Sequence, residues 1–376
     1  MYSIVLVFEG KEQILAETRF LRAYFTFELV KWFGPIPLKE NQRFVLGDEK
    51  TIPRAPVEEV YAQIESDLQY AIEHLDYTAP QVGRATKGAA QALLGKVHLF
   101  QDEFTLAAPV LNAVINSGQF RLYGTVPEED FLNLFEFEAE NSAESVFEVQ
   151  YTGTEGAGFG CLQCSEGNVM VGFSGVRGYN GPLYESGFGF NLPTQETFDA
   201  FESSDLRREL SILDIEAWAA ETGAEFTIGN QDPETGHTGF YNKKYIPRQN
   251  DNLGDANLTQ PNNYRAIRYA DVLLMAAEAL NRGNIDDQLA LDYVNQVRER
   301  AGLPEINASG SDLTDEIFRQ RRLELVGEGH RFFDLVRTGR AASKIDGFTP
   351  DKNEVFPIPI EEIQFSQGNW EQNQGY

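Results

Sequence analysis

Leu313–Arg337, LTDEIFRQRRLELVGEGHRFFDLVR, threads acidic and basic side chains through a helical and otherwise apolar pattern. At 3.6 residues per turn, Ile317, Arg321 and Leu325 share one side, and that side seeks burial. A guanidinium there needs a carboxylate, and Glu324 and Glu328 are the candidates nearest in sequence. The stretch is no ordinary solvated face, and it predicts a buried structural ion network rather than a binding site, because a cation inside a helical packing face usually exists to be paired. Gly327 and Gly329 interrupt the pattern, so it reads as two helices joined by a turn.

The same texture recurs on both sides. Tyr264–Arg282 is helical and is stopped by Gly283; Asp287–Ala301 follows and is stopped by Gly302. Near the start, KEQILAETRFLRAYFTFELVKWF (Lys11–Phe33) is apolar nearly all round, the mark of a helix packed on several sides, and Gly34-Pro35 ends it. Pro56 with Glu58 and Glu59 opens an amphipathic helix carrying Val57, Val60, Tyr61, Ile64, Leu68, Ala71, Ile72 and Leu75 at 3–4 spacing. In Thr86–Phe100, Gly88, Ala89, Ala92 and Gly95 would let a neighbour approach closely, and a short helix from about Leu106 to Ile115 completes the pair. This pair is loosely tetratricopeptide-like, without the full signature. Four helical hairpins, at 11–123 and 263–345, thus frame the chain.

Between them, 124–262 is rich in glycine, asparagine and aromatic residues, with short β-like pieces such as Ser145–Tyr151 and a possible helix at Gln195–Phe201. A long irregular insertion held by a rigid frame is where function usually sits. The tail, 346–376, is Pro- and Gln-bearing and is expected to lie extended on the frame. The whole, 1–376, reads as a single domain.

Bulk properties narrow the function. The 376 residues are 42% hydrophobic and 12% aromatic, a globular composition. Against 31 basic residues stand 58 acidic ones, a formal charge of −27 that repels phosphate backbones and anionic headgroups, so no nucleic-acid partner is expected. No apolar run reaches the ~20 residues a membrane helix needs. The opening MYSIVLVFEG lacks a basic leader and a small-residue cleavage site, and so makes a poor signal peptide. Cys161 and Cys164 form one C-x-x-C without a second pair to complete a zinc site, which favours a local disulfide or two small buried side chains. Asp251, Asn252, Asp255 and Asn257 crowd oxygen atoms, yet they lack the turn glycine and distal glutamate of a calcium loop. No metal or cofactor is expected. The sequence contains no G-x-S-x-G, H-E-x-x-H or phosphate loop, and His74, His98, His237 and His330 are scattered.

Five blocks, in order, resemble the SusD/RagB family. AETRFLRAYFTFELVKWFG (Ala16–Gly34) with Pro35 and Pro37 is similar to its first repeat, and Lys87–Tyr123, through ALLGKVHLF and VINSGQFRLY, to its second. Tyr264–Pro304, with YRAIRYADVLLMAAEALNRG and VNQVRERAGLP, resembles the third, and Ile317–Gly339 the fourth. Phe356–Pro359 and the closing QNQGY (Gln372–Tyr376) resemble the family's ending, with Gln374 where a proline is usual. The resemblance implies a mainly α fold of tetratricopeptide-like hairpins with minor β structure in the insertion. It further implies a non-catalytic cell-surface lipoprotein that binds a polysaccharide or oligosaccharide and caps a SusC-like TonB-dependent transporter in the outer membrane. Family members begin with a lipoprotein signal, a lipidated cysteine and a long segment before the first repeat; this sequence shows none of these, so an N-terminally truncated chain is expected, with membrane attachment only through an anchor it lacks.

Sugar binding needs flat apolar faces for C–H groups, ringed by amides, carboxylates or guanidiniums for hydroxyls. The insertion offers Arg177, Tyr179 and Asn180, then Tyr184 and Phe188, with Trp218 and Tyr241 further on. These seven are the candidate glycan-binding residues. Each aromatic has a rival role in a small core under a long loop. Trp32 is expected in the core and Trp370 to pack the tail. The alternatives to glycan binding are a helical-repeat scaffold for another protein and a glycoside hydrolase, which needs no more than two carboxylates. The acidity favours a neutral glucan-like polymer.

Overall fold

A computed structural model describes residues 10–39, 42–153, 166–229, 237–251 and 258–376. Cys161, Cys164, Asn252, Asp255 and Asn257 lie outside them. The chain forms two compact units. One runs to Ala113 and resumes at Arg331–Tyr376; the other is Val114–His330. No helix among the described residues is long and apolar enough to cross a membrane.

The first unit is built on α1 (Lys11–Phe33), α2 (Val57–His74), α3 (Lys87–Phe100) and the start of α4 (Phe104–Asn116), with the two-residue strands β1 (Ile36–Pro37) and β2 (Arg54–Ala55) paired antiparallel. Helix α1 buries one stripe, Ala16, Phe20, Ala23, Phe27 and Val30, at helical spacing. Leu21, Phe25 and Leu29 are exposed, so the all-round apolar pattern does not mean burial on every side. Thr86 caps α3 by accepting from the Ala89 N–H at 3.1 Å. At Gly95 a Cβ would fall 2.4 Å from the Leu111 side chain, so the glycine is what lets α4 lie against α3.

After α12 (Arg331–Arg337) and α13 (Ala341–Lys344), the tail is not simply extended, for Pro359, Glu361 and Glu362 start a short α14 (Ile360–Phe365). Beyond it Asn373 Nδ2 donates to the carbonyls of Phe33 (3.0 Å) and Phe356 (2.7 Å), and Arg54 Nη2 also donates to Phe33 O (2.9 Å). The tail thereby satisfies carbonyls at the end of α1 that the helix leaves open. Trp370 Nε1 donates to Ile52 O at 2.8 Å, packing the tail as expected. Trp32 lies edge-on to Phe333 and Phe356 at 4.8 and 4.9 Å and keeps one side in solvent.

The second unit holds β3 (Ser145–Val149), α5 (Val169–Ser174), β4 (Val176–Arg177), β5 (Ser186–Gly187), α6 (Gln195–Asp199), α7 (Leu206–Ser211), β6 (Ile212–Asp214), α8 (Ile215–Thr222), β7 (Phe240–Asn242), β8 (Tyr264–Arg268), α9 (Tyr269–Arg282), α10 (Asp287–Arg300) and α11 (Gly310–Glu324). The predicted helix at Tyr264 starts later: Tyr264–Arg268 pairs antiparallel with β3, and α9 follows at once. The pattern Ala266-Ile267 flanked by arginines is short enough to serve either period, and the partner strand decides. Helices α9, α10 and α11 pack together, and α9 is buried along nearly its whole length.

The ion network predicted at α11 exists with other partners. Arg321 reaches Asp271 of α9 at 2.8 Å. Glu324 and Glu328 instead meet Arg268 from the end of β8, Arg300 from the end of α10, and Lys244, at 2.5–3.0 Å, with Glu144 joining Arg268 and Arg300. These three carboxylates and three cations, all buried, lock a strand pair to two helices, and buried Arg207 of α7 stands 3.8 Å from Glu324 at their edge. Sequence proximity misassigned the pairs: Glu328 lies past the end of α11, where the chain has already turned at Gly327, and Glu324, the last residue of α11, meets Arg268 and Arg300 from other elements.

Candidate functional site

Strand and helix signals place the predicted residues. β4 and β5 run parallel, with Arg177 opposite Gly187, and Arg177 Nε donates to Phe188 O at 2.8 Å. Gly178 (φ +63°) then turns the chain against Gly229, so closely that a Cβ would fall 2.7 Å from the Gly229 Cα. Asn180 and Thr227 exchange backbone hydrogen bonds of 2.9 Å, so the exposed Asn180 is held by its main chain. β6 pairs antiparallel with β7, Leu213 facing Tyr241, and leads into α8. Asp214 caps α8 through the Ala217 N–H at 3.0 Å and Gly223 (φ +70°) ends it, which fixes Trp218 on a short, well-terminated helix.

These elements gather Tyr179, Tyr184, Trp218 and Tyr241 into one cluster with Val176, Leu213, Ile215, Ile228 and Ile246. Within it Tyr179, Tyr184 and Tyr241 are buried, and Trp218 and Phe226 are half-buried at its margin. The Trp218 ring stands 5.1 Å from Tyr184 at 62°, and Phe226 stacks on Tyr179 at 6.0 Å. Tyr179 donates to Pro182 O at 2.6 Å; Tyr241 shares a hydrogen bond with Nδ1 of His237. Burial pushes the Tyr184 and Tyr241 phenols up to about 12, so both are neutral across the physiological range. Gln249 borders the cluster, its Nε2 donating to Gly181 O at 2.7 Å.

The three tyrosines therefore form a floor and do not offer a ring face to solvent, which is the small-core role that competed with ligand contact in the sequence. Trp218, in contrast, is half in solvent. Arg177 and Phe188 lie on a second aromatic face: Phe188 is 5.3 Å from Phe173 and stacks on Phe190 at 5.9 Å, and the Arg177 guanidinium is 5.7 Å from the Phe190 ring centre. Phe190 is 51% exposed. Phe173, Phe190, Phe226 and His237 were not among the sequence candidates; the alternation Phe188-Gly189-Phe190 was the available signal for one of them, and nothing local marks the others. Of the four suggested calcium ligands, Asp251 is described, and burial raises its carboxyl.

The sequence profile of the SusD family matches residues 222–348, and that of a family described as starch-binding and associating with the outer membrane matches residues 7–99. A SusD-like protein of Formosa agariphila is 30% identical over 390 residues, which cover 96% of this chain and 74% of that protein. The chain belongs to the SusD family. Among solved SusD-family relatives, a laminarin-binding SusD-like protein is 38% identical with a TM-score of 0.84, covering 97% of this chain and 80% of that one. Surface glycan-binding protein A from Bacteroides thetaiotaomicron, in complex with laminarihexaose, is 26% identical with a TM-score of 0.84, covering 98% and 80%. The mainly helical architecture expected of a SusD-like chain is thus observed in both its elements and its neighbours.

Proposed function

We propose that this SusD-family chain binds a neutral β-glucan of the laminarin kind without cleaving it, and passes it to a SusC-like TonB-dependent transporter at the cell surface. The observation that carries the binding half is Trp218: a half-buried indole, 5.1 Å from the Tyr184 ring, at the margin of a tyrosine cluster that Phe226 also packs against and whose surroundings supply His237 on Tyr241, Gln249 on the Tyr184 carbonyl and the exposed Asn180. Such a surface meets the C–H side of a sugar ring with an apolar face and its hydroxyls with amides and imidazole. Its rigid tyrosine floor holds the platform in place, which lowers the ordering cost of binding. Phe173, Phe188, Phe190 and Arg177 form a second aromatic face in the same unit, which a longer chain would use in addition.

A net charge of −27 disfavours uronic and sulfated polymers, and the laminarin ligands of two structural relatives are neutral glucans in keeping with that. Delivery to a transporter and attachment at the outer membrane rest on family membership and on the outer-membrane description of the family matching residues 7–99.

The test is native affinity electrophoresis against laminarin, a mixed-linkage glucan, alginate and a sulfated polymer, with product analysis of the laminarin lane. Retardation by laminarin with no released oligosaccharide supports the reading. Released product makes the protein a hydrolase, and indifference to every polymer removes the glycan.

A further inference from the structure

Glu65, His98 and Glu103 converge in the first unit where α2 passes the corner between α3 and α4. One ligand-capable atom of each lies within 4.8 Å of the others. His98, on the last turn of α3, is 4% exposed, and its Nδ1 is 2.7 Å from Glu103 Oε2. The Glu103 N–H bonds His98 O at 2.9 Å, which fixes that carboxylate beside the ring. Glu65 comes from α2, its Oε1 accepting from Gln101 Nε2 at 2.8 Å.

A histidine–glutamate hydrogen bond alone would lock the corner, yet it leaves a second carboxylate facing the first across a partly desolvated space. Two like charges at such a distance repel, and a divalent cation between them removes the repulsion. The geometry points to a divalent transition-metal site here, suited to Zn²⁺, that ties α2 to the α3–α4 corner. One imidazole nitrogen and two carboxylate oxygens are a zinc donor set with room for a water as the fourth ligand, whereas Ca²⁺ and Mg²⁺ take oxygen alone. Gln101 supplies the outer hydrogen bond that orients a ligating carboxylate. Tetrahedral bonds of about 2.0–2.1 Å hold ligand atoms about 3.3 Å apart, so Glu103 moves out by roughly half an ångström from its 2.7 Å contact, the widest pair closes from up to 4.8 Å, and the proton of the His98–Glu103 hydrogen bond leaves to solvent as the ion binds. The Glu103 side chain is 38% exposed and has the space. The 65, 98, 103 spacing matches no metal motif, so the tertiary fold alone reveals the site.

The test is calorimetric titration of ZnCl₂ into the chelator-stripped full chain with Cys161 and Cys164 alkylated, so that no thiolate competes, followed by thermal unfolding with and without Zn²⁺. One saturable equivalent is expected, weakened at least about tenfold by His98→Ala and by Glu103→Gln, with a zinc-induced rise in melting temperature that is smaller in Glu103→Gln at the same zinc concentration. Should His98→Ala fail to fold, Glu103→Gln decides, because its amide still hydrogen-bonds the imidazole. Absence of saturable uptake, or affinity unchanged in Glu103→Gln, overturns the site.

Discussion

Arg268 and Glu328 meet through two hydrogen bonds of 2.8 Å, Nε to Oε2 and Nη2 to Oε1, with both side chains buried. This fork joins the end of β8 to the turn after α11, and Lys244 closes on the same carboxylate at 2.6 Å. Such a pair adds little over a well-packed apolar substitute, but removing one partner leaves charge stranded in a low-dielectric interior. Glu328→Ala leaves buried Lys244 with no carboxylate at hydrogen-bond distance among the described residues and takes the fork from Arg268, which keeps Glu144 and Glu324, and is expected to cost about 3–5 kcal/mol, read as a lowered urea midpoint. A midpoint within error of the parent would mean that water reaches the network.

Acid should dissolve the same network. Burial by itself would raise the Glu324 carboxyl, but Arg300, Arg268 and Arg207 overcome it and hold the group at about 2, against an ordinary value of 4.5. Its folded value is depressed, so the stabilisation is complete above the unfolded value and is lost as pH falls through the folded one. Stability measured by chemical denaturation should therefore decline between about pH 5 and pH 2, and Glu324→Gln should flatten that slope while lowering stability at pH 7. An unchanged slope in the variant would assign the acid sensitivity to other carboxylates.

The helical frame was legible because its signals are local: Thr86 before α3, Gly283 and Gly302 after α9 and α10, and the 3–4 spacing of Val60, Ile64, Leu68 and Ala71 are set by turns of the backbone. The candidate site was legible only as a neighbourhood. Tyr179, Tyr184, Trp218 and Tyr241 were singled out and they do meet, but which of them keeps a face in solvent depends on the β6–β7 pairing and on the approach of Gly178 to Gly229, neither of which has a local signature. The ion pairs were misassigned for the same reason. Arg321 reaches Asp271, fifty residues away, a partner that no local spacing marks.

Gly327 carries φ +79°, and a Cβ there would fall 2.5 Å from the Asn242 amide oxygen. Asn242 Nδ2 in turn donates to Gly327 O at 2.9 Å, so the contact cannot open without losing that bond. Gly327→Ala combines left-handed strain with overpacking and is expected to destabilise by about 2–4 kcal/mol. Gly339→Ala has a similar φ of +66° with nothing within 4 Å of the added carbon, and should cost about 1–2 kcal/mol. Equal losses in the two variants, measured by urea unfolding, would show that the Asn242 contact contributes nothing.

Trp218 carries the sharpest expectation. Replacing it with alanine removes the platform but disturbs a side chain that is half in solvent, so the fold should lose about 1–2 kcal/mol, less than the 3–5 of a fully buried indole. Laminarin affinity should fall at least about tenfold, equivalent to about 1.4 kcal/mol. Tyr184→Phe keeps the ring under Trp218 and deletes a hydroxyl that burial keeps neutral, so its affinity should stay within about twofold of the parent. Phe190→Ala tests the neighbouring face and should weaken long laminarin chains more than laminarihexaose, since a short ligand fits on the Trp218 platform alone. Affinity electrophoresis and calorimetry on the three variants distinguish the outcomes. A Trp218→Ala protein that binds laminarin as the parent does would move the glycan away from this cluster, whatever the polymer panel shows.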